Sequence, residues 1–173
     1  IENVRETFAH LSFSDFDKLA AHIADAKRVH LIGGRFTEPV ARYMAAHLRI
    51  IRSHVNAVIG QEANWRDHLV DMGRKDTLIV FDIRRYQDSL LEFSTKAAGK
   101  GASIILFTDQ WLSPIARVAK HVVTARTTVP SAWDSSAALF ALVEALTARM
   151  TARLGNEASL RIAELERLRT ETP

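Results

Sequence analysis

The stretch Thr77-Leu78-Ile79-Val80-Phe81 constrains the fold more than any other part of the chain. A strand with one wet face alternates apolar and polar residues; a continuous apolar run needs cover on both faces. Arg28-Val29-His30-Leu31-Ile32, Ala102-Ser103-Ile104-Ile105-Leu106-Phe107 and His121-Val122-Val123-Thr124 are further short strands, and His54-Val55-Asn56-Ala57-Val58 is a weaker candidate. Helical stretches separate them. Strands alternating with helices pair in parallel through right-handed crossovers. The expected fold class is therefore α/β: a three-layer sandwich around a five-stranded parallel sheet, in the flavodoxin-like order 2-1-3-4-5.

The helices carry their own punctuation. Ser14, followed by acidic Asp15 and Asp17, reads as a helix start, and Phe16, Leu19, Ala20 and Ile23 recur at helical spacing. Pro39 suits the first turn of a helix over 38–48. Further helices are expected over 62–72, closed by Gly73, over 89–100, and briefly after Ser113-Pro114. A long helix is expected over 133–154, broken at Gly155-Asn156 before an amphipathic one over 157–168.

At 173 residues the chain is long enough to bury a real core. It has no cysteine, which excludes disulfides, thiolate metal sites and cysteine nucleophiles. No apolar run approaches the roughly 20 residues that cross a bilayer. With no secretory signal either, no membrane partner is expected and the location expected is cytoplasmic. The net charge of +3, from 23 basic and 20 acidic residues, is spread along the chain, so these residues offer no basic tract for nucleic acid. Seven histidines show no metal-ligand spacing, so no metal is expected. Gly33-Gly34 lacks the third glycine of a dinucleotide fingerprint, and there is neither a P-loop lysine nor a nucleophile elbow; no cofactor is expected.

In such a sheet, ligands bind beyond the carboxyl ends of the strands where the order reverses. That places the crevice between Gly33-Gly34-Arg35-Phe36-Thr37 and Asp82-Ile83-Arg84-Arg85-Tyr86-Gln87. The most apolar strand thus ends on two adjacent arginines at the default binding position.

Three stretches resemble the SIS (sugar isomerase) domain: LIGGRFTEPVARYMAAHLRII as its first strand, glycine turn and helix, TDQWLSPIARVAKHVVTA as its later Ser-Pro segment, and WDSSAALFALVEALTARMTARLG as its closing helix. The variety most resembled is the sensor domain of RpiR-type transcriptional regulators, which join an N-terminal helix-turn-helix to a C-terminal SIS domain. The resemblance implies a linker helix over 1–13 from a missing DNA-binding head, an SIS domain over 14–156 and a C-terminal helix over 157–173. DNA would be met only through that head. The absent initiator methionine fits this reading.

The family commonly holds a sugar phosphate with a serine- and threonine-rich loop after the third strand. Here Asp82-Ile83-Arg84-Arg85-Tyr86-Gln87-Asp88-Ser89 stands in its place, and Arg35-Phe36-Thr37 replaces a usual serine in the first loop. Two readings stay open. Guanidinium forks suit carboxylate or phosphate, with Thr37, Tyr86 and Ser89 supplying hydroxyls. Alternatively, Arg84 or Arg85 pairs with Asp82, Glu38 or Asp88 and seals the crevice. Residues 84 and 85 are expected to point apart. The ligand-binding candidates are thus Gly33, Gly34, Arg35, Thr37, Asp82, Arg84, Arg85, Tyr86, Ser89, Glu62 and Ser135, with no catalytic residue assigned.

Glu62 is the one residue placed as the base of an isomerase, and otherwise reads as a helix-end or pocket contact. Trp133 and the following Asp134-Ser135-Ser136 lie near the implied ligand; Ser131 or Ser135 would offer hydroxyls, and Asp134 reads as a helix cap. The apolar face carrying Leu139, Phe140, Leu142, Val143 and Leu146 looks too wide for one-sided packing, and Leu160, Ile162, Leu165 and Leu168 form a further stripe. Together they suggest a homodimer. The expected function is sensing of a small anionic carbohydrate derivative, a sugar phosphate or sugar acid, without catalysis. A sugar-phosphate isomerase using Glu62 and a dimerisation domain with a self-filled crevice are the alternatives.

Overall fold

Five strands, β1 (Arg28–Gly33), β2 (Val55–Ala57), β3 (Asp76–Asp82), β4 (Ser103–Asp109) and β5 (His121–Ala125), all pair in parallel in the order 2-1-3-4-5. This is seen in a computed structural model that describes residues 1–171. The helices are α1 (Glu2–Ala9), α2 (Phe13–Asp25), α3 (Glu38–Ile51), α4 (Glu62–Val70), α5 (Asp88–Gly99), α6 (Ala137–Leu154) and α7 (Asn156–Thr170). None is long and apolar enough to cross a membrane among the described residues.

The strand alternation builds two cores. Leu31, Ile79, Phe81, Ile105 and Phe107 join the core that also holds buried residues of α2, α3 and α6. Ile32, Leu78, Val80, Ile104 and Leu106 join the second core with α4 and α5. Across the β3–β4 pairing, Phe81 stacks on Phe107 with ring centroids 4.8 Å apart. At the opposite end of the sheet from the crevice, Arg28 forks onto Asp76 at 3.0 and 2.9 Å, fixing the start of β1 against that of β3.

Three expectations need correction. Ser12, not Ser14, caps α2, its hydroxyl accepting from the Asp15 amide at 3.3 Å, so the helix starts earlier at Phe13. The closing helix starts at Ala137, not at 133, because the preceding residues hold tertiary bonds: the Ser135 amide donates to the Thr127 carbonyl at 2.8 Å. The wide apolar face of α6 finds its cover inside this chain. Ala138, Leu139, Leu142, Val143, Leu146 and Met150 are all fully buried, and α1, α2, α3 and α7 pack around the helix. That width therefore carries no argument for a second copy. On α7, Ile162 packs against the core while Leu160 and Leu168 are exposed. The N-terminal α1 is docked, with Thr7 buried and its hydroxyl accepting from the Arg126 amide at 2.8 Å.

His30, on the β1 face shared with Ile32, is 2% exposed, and neither ring nitrogen has a hydrogen-bond partner among the described residues. Burial pushes its pKa down, Asp76 and Asp71 oppose that, and Arg28 and His68 reinforce it. The folded state thus holds His30 neutral at a pH where the unfolded chain takes up a proton. Its contribution to stability is present above the unfolded value of about 6.5 and is lost as pH falls through it. His30→Leu, close in volume, is expected to shrink the drop in melting temperature between about pH 7.5 and 5.5. An identical drop in parent and variant would assign the acid sensitivity to other groups.

Candidate functional site

The site begins with a tight turn. A Cβ on Gly33 would collide with the Thr37 carbonyl, so β1 can turn into the 3₁₀ segment Arg35–Thr37 only on a glycine. Within that segment Thr37 is buried, its hydroxyl 2.6 Å from the Phe81 carbonyl and 2.8 Å from that of Gly34. The Gly34 amide also donates to Phe81, at 3.2 Å. The loop after β1 is thereby sewn to the end of β3, and both loops open onto one hollow.

Beyond Phe81 two carboxylates organise the second loop. Asp82 accepts from the Ser113 hydroxyl at 2.5 Å and from the backbone N–H of Gln87. Burial nevertheless pushes its pKa up to about 6, against the lowering effect of those bonds and with some help from Asp109. Asp109, fully buried at the end of β4, accepts from the Arg84 amide at 2.6 Å, the Tyr86 hydroxyl at 2.7 Å and the Trp111 amide at 3.1 Å. Burial first, then the bond to Asp109, pushes the Tyr86 phenol up.

The three arginines meet different fates. The Arg84 Nε lies 3.2 Å from Asp134, and its guanidinium sits 5.2 Å from the centre of the Trp111 ring. The internal-pairing alternative thus holds for Arg84, but with another partner: among the described residues no ion pair joins Arg84 or Arg85 to Asp82, Glu38 or Asp88, and Glu38 instead pairs with Arg42 at 2.6 Å. The same contact corrects Asp134, which is a partner of Arg84 rather than a helix cap. Arg35 and Arg85 are exposed and, among the described residues, have no ion pair or side-chain hydrogen bond. Both hold left-handed backbone, with φ of +32° and +68°.

The hollow offers about 130 Å³ and is lined by Arg35, Phe36, Asp82, Ile83, Arg85 and Trp133 among others. Of the expected residues, Gly34, Arg35, Thr37, Asp82, Arg84 and Arg85 line it together. Gly33 and Glu62 line a neighbouring hollow, with Arg35 and Gln87 shared between the two. The Gln87 side-chain amide donates to Glu62 and, at 2.8 Å, to the Ser89 hydroxyl. Tyr86 is turned to Asp109, and the Ser135 hydroxyl accepts from the Ala137 amide at 3.3 Å, leaving Ser136 on the hollow. Among the described residues no group of three His, Asp or Glu side chains is placed to hold a metal.

Sequence reasoning missed Asp109, Ser113 and Trp111. One signal was available: β4 ends on an acid after an apolar run just as β3 does, Phe107-Thr108-Asp109 beside Val80-Phe81-Asp82. Paired strands ending on carboxylates imply donors for them to hold.

Asp82 gives the site a pH signature. Its folded value lies above the ordinary 3.8, so the folded state binds the extra proton between about pH 4 and 6. Sign follows: the ionised form at neutral pH costs stability, up to about 3 kcal/mol, and the cost fades as pH falls through 6. Asp82→Asn, which keeps an acceptor for Gln87 and a partner for Ser113, is expected to raise the melting temperature at about pH 7.5, with the gain shrinking toward pH 4. A variant less stable than the parent at neutral pH would contradict this.

Comparison with known proteins agrees with this geometry. The SIS domain family matches residues 22–149. No curated protein sequence matches significantly. Among solved structures, the sugar isomerase domain of an RpiR transcription factor from Sphaerobacter thermophilus is 24% identical, with TM-score 0.90 over 96% of this chain and 93% of that one. The Vibrio vulnificus NanR protein complexed with ManNAc-6P is 14% identical, with TM-score 0.82 over 96% of this chain and 64% of that one. An E. coli CFT073 protein solved as a ligand complex is 17% identical, with TM-score 0.73 over 92% of this chain and 89% of that one. Sheet order, the glycine turn and the family match converge, and the chain belongs to the SIS domain family.

Proposed function

We propose that this SIS domain is the effector-sensing part of an RpiR-type transcriptional regulator, and that it binds a small anionic carbohydrate derivative, a sugar phosphate or sugar acid. The observation that carries the proposal is the pair of unpartnered guanidiniums, Arg35 and Arg85, on one hollow at the carboxyl ends of β1 and β3. Charged groups without partners, held on strained backbone, mark places where something else completes the structure. The likeness to an RpiR domain and to NanR with its bound sugar phosphate supports the same reading.

The domain would act in the cytoplasm as a homodimer, with α1 continuing from a DNA-binding head and DNA met only there. Arg84 and Asp134 join the hollow's β3 loop to the segment before α6, and α6 touches α1, α2, α3 and α7. An effector held better by one arrangement of these parts than by another would shift their balance and so the heads. Catalysis fits less well. Glu62 lies on the neighbouring hollow, which it shares with Arg35, and its carboxylate is engaged by the Gln87 side-chain amide.

Thermal-shift screening of sugar phosphates and sugar acids tests this. Arg85→Ala and Arg35→Ala are each expected to weaken the hit by about tenfold or more, the worth of a charge-assisted hydrogen bond. A hit that stabilises both variants as fully as the parent would end the proposal. So would aldose–ketose turnover abolished by Glu62→Gln.

A further inference from the structure

The hollow's walls say what kind of anion it takes. Phe36 comes from the loop after β1 and Trp133 from the segment before α6, yet their rings meet edge to face, 5.5 Å apart. They remain 63% and 62% exposed, and both line the hollow beside Arg35 and Arg85. Two large aromatic side chains paired at the surface leave apolar area in water that a ligand with an apolar face would cover.

Charge narrows the choice further. Three guanidiniums, Arg35, Arg84 and Arg85, face two carboxylates, Asp82 and Asp134, on the same lining, leaving a single net positive charge when all are ionised. One carboxylate balances that; a phosphate dianion exceeds it. Phosphate is also held by converging backbone N–H groups, and two of those in the β3 loop are engaged already. The Arg84 amide donates to Asp109 and the Gln87 amide to Asp82, while the Thr37 hydroxyl donates to main-chain carbonyls. The lining's own side chains then offer a pair of guanidinium forks and an aromatic wall.

We infer that the occupant is a cyclic sugar carboxylate, its ring laid by its C–H face against Trp133 and Phe36 and its carboxylate taken by Arg85 and Arg35. This rests on the effector reading above and narrows it from anionic sugars in general to closed-ring sugar acids.

Calorimetric titration of the chain at about pH 7.5 tests it, with D-glucuronate, D-galacturonate and D-mannuronate as ring carboxylates, D-gluconate as an open-chain one, and D-glucose 6-phosphate as the phosphate. At least one ring carboxylate is expected to bind about tenfold more tightly than both gluconate and the phosphate. Trp133→Ala is expected to bring that ring acid down to the level of gluconate, Trp133→Phe to keep most of the preference, and Arg85→Ala to weaken every anion. Trp133 is exposed, so its replacement leaves the core intact. Glucose 6-phosphate binding as tightly as any ring acid, and lost in Arg85→Ala, overturns this inference but leaves the effector reading standing. A ring preference untouched by Trp133→Ala likewise overturns it. Binding of none of these anions, or binding indifferent to Arg85, ends both.

Discussion

The hydroxyl of Thr37 reaching the carbonyl of Phe81 fixes the relation between the first and third strand ends, and the site follows from it. In a parallel sheet the ladder bonds stop where the strands stop, and loops beyond are free to splay. Here the ladder continues past the last paired residues through a side chain and the Gly34 amide. The bond is possible because Gly33 lets the chain fold back on itself without a Cβ in the way. Burial makes these two bonds matter more, since a carbonyl left there without either donor would carry a desolvation cost of about 1–3 kcal/mol.

Around this hinge the polar groups divide into two populations. Asp82 and Asp109 spend themselves on the protein's own donors, holding the second loop by its amides and by Ser113 and Tyr86. Arg84 is likewise committed, to Asp134 and to the face of Trp111. Arg35 and Arg85 stand outside that network, on backbone that a residue with a Cβ adopts at a cost. The loop's rigidity and its unsatisfied charge thus have different owners. The carboxylates make the frame, and two arginines are left over from it.

Much of this could be read in the residues. Continuous apolar runs gave parallel strands, their order placed the crevice, and the glycine turn and arginine loop do share a hollow. What escaped depended on distance along the chain. Asp134 lies 50 residues from Arg84, and nothing local tells a capping aspartate from a salt-bridge partner. Similarly, the apolar circumference of α6 reads alike whether its cover comes from four helices of the same chain or from another molecule. Ser12 rather than Ser14 caps α2 because two equivalent hydroxyls compete at a boundary where propensity differs little. Periodicity reports that a face is covered; it does not say by what.

The three tryptophans occupy separate environments: Trp65 is nearly buried near Phe93, while Trp111 and Trp133 are more than half exposed, Trp133 on the hollow and Trp111 under the Arg84 guanidinium. The protein therefore carries its own optical gauge. Trp65 provides a shielded emission that reports on the integrity of the α4–α5 core, while the two outer indoles sit in water, where their emission is red-shifted and open to quenchers. An iodide titration would separate the two signals in one sample, making occupancy of the crevice and intactness of the fold independently visible without any attached dye.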